Sequence, residues 1–181
     1  MDFFNIAASA KIADGASIGQ NAVIEDGAVL TENAVIGDKA HILPYCVIDG
    51  AVGENSTVGP FAHLRRGSVV GKNCRIGNFV EIKNAHIGDG TKISHLSYVG
   101  DADIGKNGNV GCGVTFANYD GKEKHRSAVG DNAFIGCHCC LIAPVTVGNN
   151  CFIAAATVVT ENVGDDSFVI GRVRQTEKKR R

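Results

Sequence analysis

Aliphatic residues recur at every sixth position along most of this chain, and a small residue stands two places before most of them. A few shortened steps and one long polar segment interrupt the rhythm. The aliphatic position holds Ile12, Ile18, Ile24, Leu30, Ile36, Ile42, Ile48, Val52, Val58, Leu64, Val70, Ile76, Ile82, Ile87, Ile93, Val99, Ile104, Val110, Phe116, Val129, Ile135, Leu141, Val147, Ile153 and Val159. The small position holds Ala10, Ala16, Ala22, Ala28, Ala34, Ala40, Cys46, Ser56, Ala62, Ser68 and Cys74, with similar residues beyond. A period of six is therefore the dominant pattern.

This period predicts strands rather than helices. Side chains of an extended chain alternate between two faces, so positions two or six apart share a face. In a helix, positions six apart fall on opposite sides. Short hexapeptide repeats are typical of a parallel β-helix, in which each strand stacks on its equivalent in the next coil and buries a continuous core. We therefore predict an all-β fold, a parallel β-helix built from hexapeptide repeats, with three strands in each coil.

Glycine is abundant, and many glycines directly follow the aliphatic position. The chain has 23 glycines, whereas average usage of about 7% would supply roughly 13. Because glycine adopts positive φ at no steric cost, we expect these glycines to turn the corners of the prism with positive φ. The positions are Gly19, Gly37, Gly53, Gly59, Gly77 and Gly88.

Length and charge restrict the domain count and the partners. A chain of 181 residues with an unbroken repeat favours one domain, residues 1–171, followed by a basic C-terminal tail, residues 172–181. The net charge of -1 gives no general attraction to nucleic acid or membrane. No apolar run approaches the roughly 20 residues of a membrane span, and no signal peptide precedes the first repeat. We expect a cytoplasmic protein whose open N-terminal end is capped by Phe3 and Phe4.

The seven cysteines need no disulfide or metal to explain them. Cys46, Cys74, Cys139 and Cys151 occupy the small position, where a thiol packs as a small hydrophobe. The odd count and the large regular core argue against a disulfide scaffold. In the run 137–140, adjacent strand residues point apart and do not share a zinc tetrahedron. We predict core packing for those four cysteines and no metal site.

A polar segment interrupts the repeat between Phe116 and Val129. It cannot continue the core, so we predict an extended loop at about 117–127. Such a loop is either a tolerated insertion or a carrier of function on a rigid scaffold.

Stacked coils group residues into columns spaced ~4.8 Å apart. His95 shares one column with smaller side chains, which leaves a shallow groove beside the imidazole; the column is Asn78, His95, Cys112, Cys137 and Ala155. A second set joins Arg65 with Lys83 and Glu81 with Tyr98. Two stacked cations repel unless an anion lies between them, which suggests a phosphate site. From spacing alone, solvated corner charges explain Arg65 and Lys83 equally well, and an ordinary surface histidine is commoner than a catalytic one at a position such as His95.

Several motifs, in order and at matching separations, carry a more specific signal. They are VGPFA at 58–62, Leu64-Arg65, GNFVEIK at 77–83, SHLSY at 94–98, NYDG at 118–121, APVTVG at 143–148 and Arg172-Val173. Together they resemble the C-terminal acetyltransferase domain of the bacterial bifunctional N-acetylglucosamine-1-phosphate uridylyltransferase/glucosamine-1-phosphate acetyltransferase family, among the hexapeptide-repeat acyltransferases. The resemblance covers nearly the whole chain.

The resemblance implies a left-handed coil and a homotrimer whose sites lie between subunits. It also implies acetyl transfer from acetyl-CoA to the amino group of glucosamine 1-phosphate, in the UDP-N-acetylglucosamine pathway of cell wall synthesis. The nucleotidyltransferase half of the family is missing from this sequence, so a separate nucleotidyltransferase is a candidate partner.

By position, His95 matches the family's general base. Residues matching the acceptor side are Arg65, Lys83, Tyr98, Asn109 and Lys124, with Glu81 beside them. Residues matching the coenzyme side are Cys112, Asn118, Tyr119, Cys137, Ala155 and Arg172. The family commonly has Ala and Ser where this chain has Cys112 and Cys137, and Arg and Pro where it has His63 and Arg66. These departures bear on the identity of the acceptor sugar more than on the type of reaction.

The residue types suit this chemistry. A base working near pH 7 must deprotonate the attacking amine, and imidazole has an unperturbed pKa of about 6.5. We hypothesise that Glu81 orients the His95 ring and that the backbone amide of Cys112 stabilises the oxyanion, an effect of about 3 kcal/mol in comparable sites. No metal is required.

Three other functions stay open. Another amino sugar or a sugar nucleotide is an alternative acceptor for the same base and groove. A zinc hydratase of the γ-carbonic anhydrase type shares the fold, but the sequence lacks a matching histidine spacing. The third alternative is a non-catalytic trimeric scaffold, which would not turn over acetyl-CoA.

Overall fold

A computed structural model describes residues 5–180 of the chain. Regular secondary structure in this range consists of short β-strands, with no helix. It follows that the described range has no helix long and apolar enough to cross a membrane. Phe3 and Phe4, which we expected to cap the core, lie outside the described residues. The prediction of an all-β chain is confirmed.

The strands form three parallel sheets of ten, nine and eight strands, and each coil up to Thr146–Val147 contributes one strand to each sheet. The first sheet contains Asn5–Ile6, Val23–Ile24, His41–Ile42, Thr57–Val58, Arg75–Asn78, Lys92–His95, Asn109–Val110, Phe134–Ile135, Phe152–Ile153 and Phe168–Val169. The second sheet contains Lys11–Ile12, Val29–Leu30, Val47–Ile48, His63–Leu64, Glu81–Lys83, Tyr98–Gly100, Thr115–Ala117, Cys140–Ile142 and Val158–Val159. The third sheet contains Ser17–Ile18, Val35–Ile36, Ala51–Val52, Val69–Val70, His86–Ile87, Ala102–Ile104, Ser127–Val129 and Thr146–Val147. This is the parallel β-helix that the repeat predicts.

The register of the sheets follows the hexapeptide count. Ile76 pairs with Val58 below it, 18 positions earlier, and with Ile93 above it, 17 positions later. The shorter coil accommodates the five-residue step of the repeat. Val110 pairs with Ile135, 25 positions later, because the polar loop is inserted in that coil. Equivalent residues therefore stack despite the irregular steps.

The aliphatic and small positions both face the interior of the prism. Ile42, Ile93, Ile135 and Phe116 are each 0% exposed, and burying such side chains contributes about 1.5–3 kcal/mol apiece. The first coil is less covered, since Ile12 is only partly buried. The four cysteines predicted to pack in the core are all buried: Cys46, Cys74, Cys139 and Cys151. Burial raises the pKa of the Cys46 thiol to about 11, so this thiol is neutral at pH 7.

The expectation that glycine provides positive φ after the aliphatic position is wrong for five of the six glycines that we singled out, since only Gly59 has a positive φ, of 108°. Corners are turned mainly by non-glycine residues, with Asn21 and Asn55 at φ 55° and 57°. The other glycines are needed for space. A Cβ on Gly37 would lie 2.7 Å from the backbone nitrogen of Glu54 in the next coil. Close approach of stacked backbones, rather than turn conformation, therefore explains these positions.

The polar loop is slightly shorter than predicted. Ala117 still belongs to a strand of the second sheet and Ser127 begins a strand of the third sheet, so the segment outside the prism is residues 118–126. It folds back on itself through an antiparallel bridge between Tyr119 and Lys124. We refer to residues 118–126 as the active-site loop, because they include Asn118, Tyr119 and Lys124 of the predicted site.

Candidate active site

His95 ends a strand of the first sheet and its side chain is exposed. It pairs in register with Asn78 in the coil below, and its Nδ1 lies 2.8 Å from Asn78 Oδ1. The amide of Asn78 therefore orients the imidazole. Within this chain Glu81 does not contact the ring, because its Oε1 accepts a hydrogen bond from Arg65 Nη1 at 2.9 Å; the hypothesis that Glu81 orients His95 stays a prediction.

The predicted column above His95 is present. Lys92–His95 pairs with Asn109–Val110, which pairs with Phe134–Ile135, so Cys112 and Cys137 follow in adjacent coils. The His138 amide donates to the Cys112 carbonyl at 2.8 Å, and the Ala156 amide donates to the Cys137 carbonyl at 2.8 Å. These bonds hold the backbones of the corner side by side.

Two further features mark this column. The amide of Cys112 has no hydrogen-bond acceptor within residues 5–180, so it is available to a ligand. At the upper end, Arg172 Nη1 donates to the Ala155 carbonyl at 2.9 Å. We call this column the small-residue track. It runs from the His95 imidazole at its lower end to the Arg172 guanidinium at its upper end.

The predicted acceptor cations lie on the second sheet, one coil apart. Arg65 and Lys83 each face a carboxylate, because Lys83 Nζ lies 3.0 Å from Asp101 Oδ2 while Arg65 pairs with Glu81. Arg65 and Lys83 therefore do not require a bound anion in order to stack, since side-chain carboxylates already compensate both cations; the phosphate site stays a prediction.

Lys124 of the active-site loop joins this cluster. The hydrogen bond to Asp101 raises the pKa of Lys83, with Lys124 next to it. The Lys83 amine, in turn, lowers the pKa of the exposed Lys124, and Arg65 adds to that effect. Three cations face two carboxylates here, so the cluster keeps an excess of positive charge suited to a phosphate group.

Asp101 is the residue that our sequence reasoning missed. It is 7% exposed and its φ is 47°. Burial raises the pKa of its carboxyl, but hydrogen bonds from Asn84, Lys83 and Asn118 outweigh this and lower the pKa overall. The one signal in the sequence was an acidic residue at a corner between two strands, at a position where the coil below has Asn84.

The active-site loop is fixed at several points. Asp120 Oδ1 accepts hydrogen bonds from the amides of Lys122 and Glu123, both at 2.7 Å, which lowers the pKa of its carboxyl. At the end of the loop, Arg126 Nε donates to Asp103 Oδ2 at 2.6 Å. Tyr119 remains exposed at 59%. The loop is thus an ordered part of the surface.

The structure does not bring all predicted residues into one cluster. Asn109 lies on the first sheet, in register between Lys92 and Phe134, whereas Lys83 and Tyr98 lie on the second. The two halves of the candidate site thus occupy two faces of one chain. A cleft of about 560 Å³, lined by residues such as His86, lies on the third face. Among residues 5–180, no cluster of His, Cys, Asp or Glu is arranged to hold a metal ion.

Comparisons with known proteins agree with the repeat. The family model for bacterial transferase hexapeptides matches residues 49–84 and 127–161, and the model for the hexapeptide repeat of succinyl-transferase matches residues 7–32. Together the two models cover 97 of 181 residues, from segments of 36, 35 and 26.

The curated relatives include a bifunctional protein GlmU from Acetivibrio thermocellus, which is 55% identical over 132 residues, or 73% of this chain and 29% of that protein. A bifunctional protein GlmU from Staphylococcus epidermidis is 54% identical over 139 residues, or 77% of this chain and 31% of that protein. The chain thus spans less than a third of the length of these relatives.

Among solved structures, a UDP-N-acetylglucosamine acyltransferase from Campylobacter jejuni has a TM-score of 0.64 at 26% identity. The match covers 87% of this chain and 68% of that one.

Proposed function

This chain belongs to the bacterial hexapeptide-repeat transferases, and we propose that it transfers an acetyl group from acetyl-CoA to the amino group of glucosamine 1-phosphate. The observation that carries the proposal is the small-residue track, which leads from His95 past Cys112 and Cys137 to Ala155 and Arg172. This track offers a binding path for the acyl donor, and the path starts at the His95 imidazole, which Asn78 holds in place.

His95 is the general base. Asn78 Oδ1 accepts the proton on Nδ1, so Nε2 of the neutral ring has its lone pair free to take a proton from the attacking amine. The amine nitrogen then bonds to the acetyl carbon, the carbon–sulfur bond breaks, and the coenzyme leaves as a thiol after protonation. Positioned base catalysis of this kind contributes about 10²–10⁴-fold to rate.

The chain's own groups suit acetyl-CoA as co-substrate. The unpaired Cys112 amide is a fixed donor for the oxyanion that forms on the acetyl oxygen. The small residues of the track admit a narrow chain, with Asn118 and Tyr119 on the loop side and Arg172 near the coenzyme's phosphates. No residue in this scheme requires a metal ion.

The acceptor phosphate binds at the cluster of Arg65, Lys83 and Lys124. Lys124 carries the strongest support, because the amine of Lys83 lowers its pKa and an incoming phosphate dianion relieves that repulsion. Tyr98, near the Asn118 amide, borders the same surface. Glu81 contributes by holding Arg65.

A homotrimer completes the site. His95 and Asn109 lie on the first sheet, while Lys83 and Lys124 are associated with the second, so one chain presents the two halves on different faces. Around a three-fold axis, the second sheet of one copy faces the first sheet of the next. We place this enzyme in the cytoplasm.

An assay of thiol release from acetyl-CoA tests the proposal. The expected result is fastest release with glucosamine 1-phosphate and slower release with glucosamine. Lys124→Ala should raise the KM for glucosamine 1-phosphate by about tenfold or more, the loss of a charged hydrogen bond, whereas Lys122→Ala on the same loop should not. Thiol release with none of the amino sugars would refute the proposal.

A different amino sugar or a sugar nucleotide is the second candidate acceptor. It is favoured by His63 and Arg66, which lie beside the acceptor-side residue Arg65 in the sequence and differ from the residues usual in the resembling family. Faster turnover with such an acceptor than with glucosamine 1-phosphate would select this candidate.

A further inference from the structure

Asp101 holds both ends of the active-site loop. Its side chain accepts a hydrogen bond from Asn118 Nδ2 at the start of the loop. Its backbone carbonyl accepts a hydrogen bond from the Ser127 amide, just after the loop, at 3.1 Å. One residue between two strands therefore closes the base of a nine-residue segment, residues 118–126.

The Asp101 carboxylate also binds Lys83, one of the predicted acceptor-side cations on the second sheet. Lys83 Nζ lies 3.0 Å from Oδ2 and 3.2 Å from Oδ1. Asn84 Nδ2 donates to Oδ1 at 2.6 Å. Both oxygens thus accept hydrogen bonds, from Lys83 at the end of one strand, from Asn84 directly after it and from Asn118 in the loop. The side chains involved are nearly buried, with Lys83 at 18% and Asp101 at 10% exposed.

We propose that Asp101 is a positioning residue that fixes Lys83 and the active-site loop to each other, so that the acceptor cations and the loop residues facing the coenzyme are arranged together. This rests on the proposed function. Asp101 itself contacts neither substrate. Its ionised carboxylate is the common acceptor through which the position of Asn118 depends on that of Lys83.

Position 101 suits aspartate for two reasons. Its φ of 47° lies in the left-handed region, where Asp and Asn are tolerated better than most residues. Its short side chain places the carboxylate against the corner, where Lys83, Asn84 and Asn118 converge. Asparagine keeps the backbone conformation but replaces one acceptor oxygen with an NH₂ donor, which faces other donors.

Asp103 supplies a matched control. It also anchors the active-site loop, through Arg126 Nε at 2.6 Å, and Arg126 Nη1 donates to the Asn84 carbonyl at 2.9 Å. Asp103 makes no hydrogen bond to Lys83 or Asn118 among the residues described. Asp103→Asn therefore loosens the loop without releasing Lys83, whereas Asp101→Asn does both.

Steady-state kinetics separates the two roles. For Asp101→Asn we expect the KM for glucosamine 1-phosphate to rise about 10- to 100-fold, as for loss of a charged hydrogen bond, with a smaller change for glucosamine. For Asp103→Asn, the KM values for glucosamine 1-phosphate and for glucosamine should change by similar, small factors. Lys83→Ala and Asp101→Asn should be strongly non-additive when combined, because they remove the same interaction.

Limited trypsin digestion gives a readout that does not depend on turnover, since Lys122, Lys124 and Arg126 are cleavage sites within the loop. Inorganic phosphate or glucosamine 1-phosphate should slow loop cleavage in the native chain and in Asp103→Asn, but not in Asp101→Asn. The thermal midpoint of each variant checks that it is folded. If Asp101→Asn does not fold, Asn118→Ala tests the same link from the loop side, with the same expected loss of protection.

Two results would overturn the proposal: equal behaviour of the Asp101 and Asp103 variants in both readouts, or additive effects of Lys83→Ala and Asp101→Asn. If the native chain turns over no amino sugar, the proposed function fails, and the cleavage comparison with inorganic phosphate still decides whether Asp101 links Lys83 to the loop.

Discussion

His95 Nδ1 lies 2.8 Å from Asn78 Oδ1, and the two residues are register partners in adjacent coils of the first sheet. A carbonyl oxygen only accepts hydrogen bonds, so this contact places the proton of the neutral ring on Nδ1. Nε2 then carries the lone pair. Stacking of coils thus selects one tautomer of the proposed base.

Removing the imidazole should abolish base catalysis while leaving coenzyme binding nearly intact. For His95→Ala we expect kcat to fall about 10²–10⁴-fold, with the KM for acetyl-CoA changed little, because the small-residue track is untouched. Thiol release and direct titration with coenzyme A measure the two quantities. Equal losses in turnover and in coenzyme affinity would contradict the role of His95 as base.

Removing the partner of the ring should have a smaller effect in the same direction. Asn78→Ala leaves the imidazole in place but removes a hydrogen bond of about 0.5–1.5 kcal/mol, so kcat should fall about 3- to 10-fold. Glu81→Gln serves as the comparison, since Glu81 contacts Arg65 rather than His95. A larger fall in kcat for Glu81→Gln than for Asn78→Ala would indicate that Glu81, rather than Asn78, orients the His95 ring.

The glycines that follow aliphatic residues should be sensitive to added volume. A Cβ on Gly53 would lie 2.8 Å from the backbone nitrogen of Lys72, and overpacking against backbone costs about 1–3 kcal/mol. Gly53→Ala should therefore lower the free energy of unfolding in urea by this amount. Gly164→Ala, where no atom lies within 4 Å of the added Cβ, should be neutral or slightly stabilising. Equal effects of the two substitutions would refute the spacing argument.

The anchor of the active-site loop should weaken in acid. The Arg126 guanidinium, with His86, lowers the pKa of Asp103 to about 2 in the folded chain, below the value of about 3.9 in an unfolded chain. A carboxyl with a depressed pKa stabilises the fold above pH ~4, and this contribution is lost as the pH falls from ~4 to ~2. Asp103→Asn should therefore be less stable than the native chain at about pH 5, and the difference should narrow at about pH 2.5. Urea unfolding at both pH values measures it, and a constant difference would contradict the ion pair.

Much of the fold was predictable because each hexapeptide repeats the same placement of buried aliphatic and small residues. Ile93 and Ile135 could be placed in the core from the period alone, and the column of His95, Cys112 and Cys137 followed from counting. The coil length could be followed through a shortened step, since side-chain alternation penalises any register that turns an aliphatic residue outward. The predicted glycine conformations were wrong because a count along the chain carries no information on the distance between stacked backbones.

The candidate site was predictable only in part. Motif resemblance singled out Lys83 and Asn118, but their shared partner Asp101 was missed, and so was the contact of Glu81 with Arg65. Hydrogen-bond partners of polar side chains depend on rotamers and on angles at the corners, and no sequence period encodes these.

The chain's own sequence was enough to establish a β-helix, its stacking order and its buried positions, because hydrophobic burial acts on every repeat in the same way. Which carboxylate meets which cation, and which amide holds the proposed base, emerged only when the coils were packed in three dimensions. Those pairings are set by contacts of a few ångströms between residues far apart in sequence, 18 positions for Lys83 and Asp101 and 23 for Asp103 and Arg126.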